Sequence, residues 1–129
     1  MVFLDIATSR VAATKVFAAK ALGKSVPDTW LIDDSGLPTT DPSRFPEAGA
    51  LLPLADYKGY GLAVLVEVLS GALTGAALLS GVVSWATNSR EKVDQGHAFI
   101  AFDIGAMMPL AEFKSRMDSM VRELHAAPK

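Results

Sequence analysis

The sequence predicts a mixed domain of helices and short strands. Three observations carry that prediction: β-prone runs alternate with helix-forming segments, a long apolar run fills the middle of the chain, and the last stretch repeats apolar residues at helical spacing. A chain of 129 residues has room for about one domain around a single core.

Val2 to Ile6 reads as a short strand, and Ser9 as the cap of a helix running from Arg10 to about Leu22, rich in alanine and closed by Gly23. In the stretch VPDTWLIDDSGLPTTDPSRFPEAGA, Pro27, Pro38, Pro42 and Pro46 gather with Gly36 and Gly49, so it reads as loop with a brief strand at Trp30 to Ile32. Such loops carry specificity more often than core does. From about Gly59 the apolar run reads as helix to about Leu73, and it is broken by Gly71, Gly75 and Gly81. HAFIAFDI, His97 to Ile104, reads as a buried strand. Pro109 opens a last helix whose Leu110, Phe113, Met117, Met120, Val121 and Leu124 recur at helical spacing and face a core.

Composition excludes several functions. A net charge of -2 and a pI near 5.6 leave no basic surface to neutralise a phosphate backbone, so nucleic acid is not an expected partner. Without cysteine there is neither a disulfide nor a thiolate metal site, and no His/Asp/Glu spacing suggests a metal. The N-terminal MVFLDIATSR has an acid at its fifth position and no basic region before an apolar core, so it does not read as a signal peptide. The expected location is cytoplasmic.

The apolar run poses a choice between membrane and core. Glu67 is the only charge between Lys58 and Arg90, and Gly71-x-x-x-Gly75 is of the kind that lets membrane helices approach closely. Against a membrane, a carboxylate near the middle of a span costs about 2.5 kcal/mol or more. Gly, Ser and Thr are frequent after residue 70, and no Lys/Arg cluster marks one flank. The flanking elements also need a soluble core to pack into. The run is therefore expected to be a buried helix, with no membrane partner.

Two segments have chemistry of their own. Asp5 to Ser9 is placed where a strand gives way to a helix, which would offer free N–H groups and a positive dipole end to a phosphate or ribose hydroxyl. The plainer reading is that Asp5, Thr8 and Ser9 cap the helix. Lys58 precedes Gly59 at the start of the apolar helix, an arrangement suited to a pyrophosphate with lysine as point charge; a solvated helix-start lysine is the alternative.

FLDIATSRVAATKVFAAKALGKSVPDTWLIDDSGLPTTDP, with LLPLADYKGYGLAVLVEVLSGALTGA after it, resembles the malate/L-lactate dehydrogenase type 2 family of NAD(P)-dependent oxidoreductases. The family's D-M-A-T-S, D-x-x-G-x-P-T-T-D-P and L-P-L-G-G-Y-K-G-Y-G-L segments have counterparts here in that order, with Ile6 in place of Met and Ala55-Asp56 in place of Gly-Gly, and the likeness runs from about residue 2 to residue 125. It implies an α+β fold unlike the Rossmann type, a largely antiparallel sheet with flanking helices, and a homodimer. It implies hydride transfer between NAD or NADP and a small 2-hydroxy or 2-keto acid. It also sets Asp5, Ile6 and Ala7, and the turn formed by Ala55, Asp56, Lys58 and Gly59, against the cofactor.

The departures matter as much. Ala55-Asp56 replaces the family's Gly-Gly, which puts side chains where glycine backbone is expected and a carboxylate beside a phosphate. Family members are also considerably longer, so residues 1–129 are expected to be a single partial domain. The family's catalytic histidine and its substrate-binding Ser/His/Arg residues then lie outside this chain, and no catalytic residue is assigned within it. His97 and His125 are read as structural or solvated. The chain is expected to be inactive alone. The alternative is a catalytically silent binding or dimerisation module of the same fold.

Overall fold

The computed structural model describes residues 2–84 and 90–128. The chain divides into two compact units, Met1–His97 and Ala98–Lys129.

The first unit is a small α+β arrangement. Helix α1 spans Ala13–Ala21, strands β1, β2 and β3 span Leu31–Ile32, Pro38–Thr39 and Ala50–Leu51, and helix α2 spans Tyr57–Glu67 before continuing as a π-helical turn over Val68–Ala72. The strands form one antiparallel sheet in the order β2-β1-β3, with Leu31 opposite both Thr39 and Leu51. The sheet is closed by its own turn chemistry. Asp33 Oδ1 accepts from the N–H groups of Ser35 (2.9 Å) and Leu37 (3.0 Å), and Asp33 N–H donates to Leu37 O (2.9 Å). Asp41 does the same one turn on, accepting from Ser43 N–H (2.9 Å) and the Ser43 hydroxyl (2.8 Å).

α1 ends as its sequence requires. Lys24 N–H reaches Ala19 O (3.0 Å) and Gly23 N–H reaches Lys20 O (3.2 Å), with Gly23 at φ 61°, the left-handed closure that glycine adopts without a Cβ penalty. The helix lays Val16 onto the sheet. Val16 and Leu31 are almost fully enclosed, Val11, Val26 and Phe45 complete the core, and the Phe17 and Phe45 rings pack at 5.2 Å and 52°. Lys20 Nζ donates to Phe45 O (2.6 Å) and pairs with Glu47 at 3.3 Å, tying α1 to the loop.

The second unit contains helix α3, Leu110–Ala126, preceded by a short turn at Ile104–Ala106 that α3 contacts. Pro109 sits at the cap position, one residue before the helix.

Five expectations are corrected. Val2 to Ile6 is not a strand among the described residues: Phe3 and Leu4 are exposed, and no neighbouring strand takes their backbone groups. Ser9 does not cap α1. Its hydroxyl donates to Val11 O (2.9 Å), and the helix starts only at Ala13 because residues 8–10 are first held in an extended pairing with residues 52–54. His97 to Ile104 is neither strand nor buried: Phe99 is 96% exposed. The apolar helix exists, but its side chains are not buried in this chain; Gly59 alone is buried in α2 and Gly71 in its π-helical continuation. Likewise α3 is amphipathic without a buried residue, since Phe113, Met117 and Val121 are only half-buried and Leu110 and Leu124 are exposed. The part of the apolar run at residues 85–89 lies outside the described residues.

Glu67 has a local explanation. Its Oε1 accepts from Leu79 N–H (2.6 Å), so the one charge of the run fastens the turn beyond the helix. The chain returns against the π-helical end of the helix at Gly96, where a Cβ would collide with the Ser70 carbonyl and the Thr74 hydroxyl; only glycine fits.

Candidate cofactor site

Backbone pairing joins residues 8–10, just after the Asp5-Ile6-Ala7 segment, to residues 52–54, just before the Ala55-to-Gly59 turn. Thr8 O accepts from Leu54 N–H (2.8 Å), Ser9 bridges Pro53 in antiparallel fashion, and Arg10 N–H donates to Leu52 O (2.8 Å). Asp5, Ile6 and Ala7 lead into this pairing, and Ala55, Asp56, Lys58 and Gly59 lead out of it. All of them are exposed except Gly59, which is buried.

The turn between the pairing and α2 is tight. Asp56 N–H donates to Pro53 O (3.3 Å), Lys58 N–H to Ala55 O (3.2 Å) and Gly59 N–H to Leu54 O (2.8 Å). Gly59 lies so close to Leu54 that a Cβ would overlap Leu54 backbone atoms, which accounts for glycine there without any ligand. Ala55 has φ 47°, and Asp56 has φ 54° with ψ -120°, the geometry of the first central residue of a type II′ turn. Both conformations favour glycine, and two side-chain-bearing residues occupy them. Two residues with side chains thus hold backbone conformations that glycine adopts without a Cβ penalty.

α1 begins at Ala13, so Asp5 to Ser9 is not a helix start. At α2 the N–H groups of Lys58, Gly59 and Tyr60 already have carbonyl partners, the last on Asp56 O (3.2 Å). The site therefore presents side-chain charge outward: Lys58, Asp56 and Arg10. Arg10 was not singled out by the sequence, although a carboxylate in place of glycine on a phosphate-facing turn is a signal to look for a balancing cation. Its Nη1 lies 3.7 Å from Asp56 Oδ1, with both groups well exposed, a pair worth little to stability. His97 and His125 are exposed, and among the described residues no cluster of His, Asp or Glu could hold a metal ion. No described helix is long and apolar enough to cross a membrane.

The geometry is that of an α+β frame with a glycine-type turn at a helix start, and comparison with known proteins gives its family. The malate/L-lactate dehydrogenase family matches residues 1–129, and the chain belongs to that family. It is 39% identical over 100 residues to the (2R)-3-sulfolactate dehydrogenase (NADP(+)) of Chromohalobacter salexigens, covering 78% of this chain and 30% of that protein. It is 36% identical over 122 residues to the ureidoglycolate dehydrogenase (NAD(+)) of Escherichia coli K12, covering 95% of this chain and 34% of that one. The solved sulfolactate dehydrogenase of Methanocaldococcus jannaschii superposes with a TM-score of 0.82 at 36% identity, over 98% of this chain and 36% of that chain. The chain spans about a third of the length of the curated relatives it matches.

Proposed function

We propose that this chain is the cofactor-contacting portion of an NAD(P)-dependent oxidoreductase that transfers hydride between a nicotinamide cofactor and a small 2-hydroxy or 2-keto acid of the malate or lactate type. The observation that carries the reading is the pairing of residues 8–10 with 52–54, which sets the Asp5-Ile6-Ala7 segment beside the Ala55-to-Gly59 turn in a chain of this family. The frame that holds the dinucleotide is then antiparallel and unlike a Rossmann domain. The natural setting of this reading is a cytoplasmic homodimer.

Each residue has a defined part in it. Lys58 supplies a mobile point charge to the pyrophosphate, and Asp5 accepts from a ribose hydroxyl. Gly59 lets the helix start press against Leu54. The bound cofactor supplies or takes the hydride. A carbonyl substrate additionally needs a proton donor and a cation for its carboxylate, and neither is assigned to a residue of this chain, so the chain alone is expected to bind without turning over. The second reading, a silent association module, draws support from the exposed apolar α2.

Calorimetric titration with NADH tests the proposal. Wild type should bind, and Lys58→Ala should lose about 1 to 3 kcal/mol of binding free energy if the ammonium meets a phosphate. Equal affinities in the two proteins would remove Lys58 from the site, and no binding by either would favour the silent module.

A further inference from the structure

Resting on that cofactor reading, we infer that Gly59 is a positioning residue: acting through Leu54, it makes the two cofactor-facing segments a single mechanical unit. The backbone of Leu54 is the node. Its N–H donates to Thr8 O (2.8 Å), at the end of the stretch that begins with Asp5-Ile6-Ala7, and its carbonyl accepts from Gly59 N–H (2.8 Å), in the first turn of α2. Both bonds leave one residue, so a displacement of either segment is passed to the other.

Gly59 is the one buried residue of α2, so its part is to hold the site rather than to touch a ligand. A Cβ there would overlap the nitrogen and the carbonyl group of Leu54, the atoms that make both bonds. The same contact closes the turn. Ala55 at φ 47° and Asp56 at φ 54° hold conformations that residues with side chains keep only where their surroundings over-determine them, and the Leu54–Gly59 bond spans both. With that closure opened, Ala55 and Asp56 relax toward negative φ, and Lys58 leaves the place the turn gives it. Gly61, two residues further along the helix, is the contrast. It is exposed, and a Cβ there meets nothing within 4 Å, so alanine fits and favours the helix. One substitution made at each glycine therefore separates positioning from helix content.

The test follows NADH affinity by calorimetry and backbone amide exchange by NMR for wild type, Gly59→Ala and Gly61→Ala, with circular dichroism to confirm folding. Gly59→Ala should bind NADH about tenfold or more weakly, because the segments lose their preorganisation. Without any dinucleotide, the amides of Leu54 and of Arg10, the latter bonded to Leu52 O at the far end of the pairing, should exchange faster than in wild type. Gly61→Ala should leave affinity within about twofold of wild type. Val26→Ala is the control for stability alone: Val26 is 5% exposed in the core, so its truncation should lower the unfolding midpoint and leave affinity within about twofold. Should Gly59→Ala fold poorly, exchange of wild type in mild denaturant decides, since the Arg10, Leu54 and Gly59 amides should open together with one denaturant dependence. Separate openings, unchanged affinity or unchanged Leu54 and Arg10 exchange in folded Gly59→Ala, or an equal affinity loss in either control would overturn the positioning role while leaving the cofactor site standing. Absence of NADH binding by every folded protein would overturn the cofactor reading and this role with it.

Discussion

Two stretches of the first unit, residues 8–54 and 57–73, invert the usual relation between hydrophobicity and burial. The first is laced with prolines, aspartates and lysines, yet it closes a core on Val11, Val16, Val26, Leu31 and Phe45. The second is far more apolar, yet only its glycines at 59 and 71 are buried, while Leu62, Val64, Leu65, Val66 and Val68 are each about half exposed. At 100° per residue those positions cover about 200° of the helix circumference, and Tyr60 and Ala63 lie in the remaining arc. A helix that is apolar all round belongs inside a larger body of protein or in lipid, and no described helix is long and apolar enough for a bilayer. The first stretch needs only itself; the second displays a demand for cover that nothing among the described residues of this unit meets. Apolar composition measures that demand, and turn chemistry with a few well-spaced valines and leucines measures supply.

The largest expected effect tests this contrast directly. Leu31 is 1% exposed at the middle strand of the sheet, so Leu31→Ala should cost about 2 to 5 kcal/mol through lost burial and an unfilled cavity. Leu65 is 52% exposed on α2, and Leu65→Ala should cost less than about 1 kcal/mol. Urea unfolding of the two variants gives both numbers. Similar losses would break the comparison, because they would mean that α2 is covered in solution.

Much of the first stretch was legible. Gly23 as a helix stop, a strand at Trp30 to Ile32 and a loop built on Asp, Gly and Pro all depend on local backbone preferences that the residues state openly. The elements that failed depend on partners. Val2 to Ile6 and His97 to Ile104 have strand composition, but a strand exists only where a neighbour takes its hydrogen bonds, and no described residue does so. Ser9 looked like a cap because its type suits one; the competing pairing of Arg10 with Leu52 was invisible in the local pattern. For the site, the Ala55-Asp56 substitution signalled an unusual turn, and the positive φ at both residues bears out the need for a glycine-like backbone. The Arg10 contact could not be read, since it joins residues 46 positions apart through a register set by residues 8–10 and 52–54.

That same turn offers a change of intermediate size, and one that raises stability. Ala55 stands at φ 47°, where an L side chain crowds the backbone, so Ala55→Gly should relieve strain of about 1 kcal/mol, less what glycine loses in the unfolded chain. Thermal unfolding should show a small upward shift in midpoint. The same replacement at exposed Ala72, the last residue of the π-helical turn that continues α2, has no strain to relieve and should lower the midpoint. A fall in both would show that the junction between the two stretches is not strained.

The smallest effect concerns charge, and it separates the stretches by acid. Asp41 has its carboxyl held below the ordinary value by the Ser43 N–H and hydroxyl, and Glu47 by its own backbone N–H and then by Lys20. Both groups belong to the loop of the first stretch and both are solvent-exposed, so each acts weakly. Linkage sets the sign. A carboxyl whose pKa is lower in the folded state than in the unfolded one adds stability above its unfolded pKa, and that addition is lost as pH falls through the folded value. The urea midpoint of wild type should therefore decline as pH drops below the ordinary carboxylate range. Asp41→Asn should start lower and decline less, because the asparagine can still accept from Ser43 but has no charge to lose. Ser43→Ala should behave in the same way, as it removes the hydroxyl donor while leaving the N–H. Parallel curves for wild type and Asp41→Asn from neutral to acid pH would show that the Asp41 turn contributes nothing that depends on its charge, and that the loop is held by backbone hydrogen bonds and the Val16–Leu31 core alone.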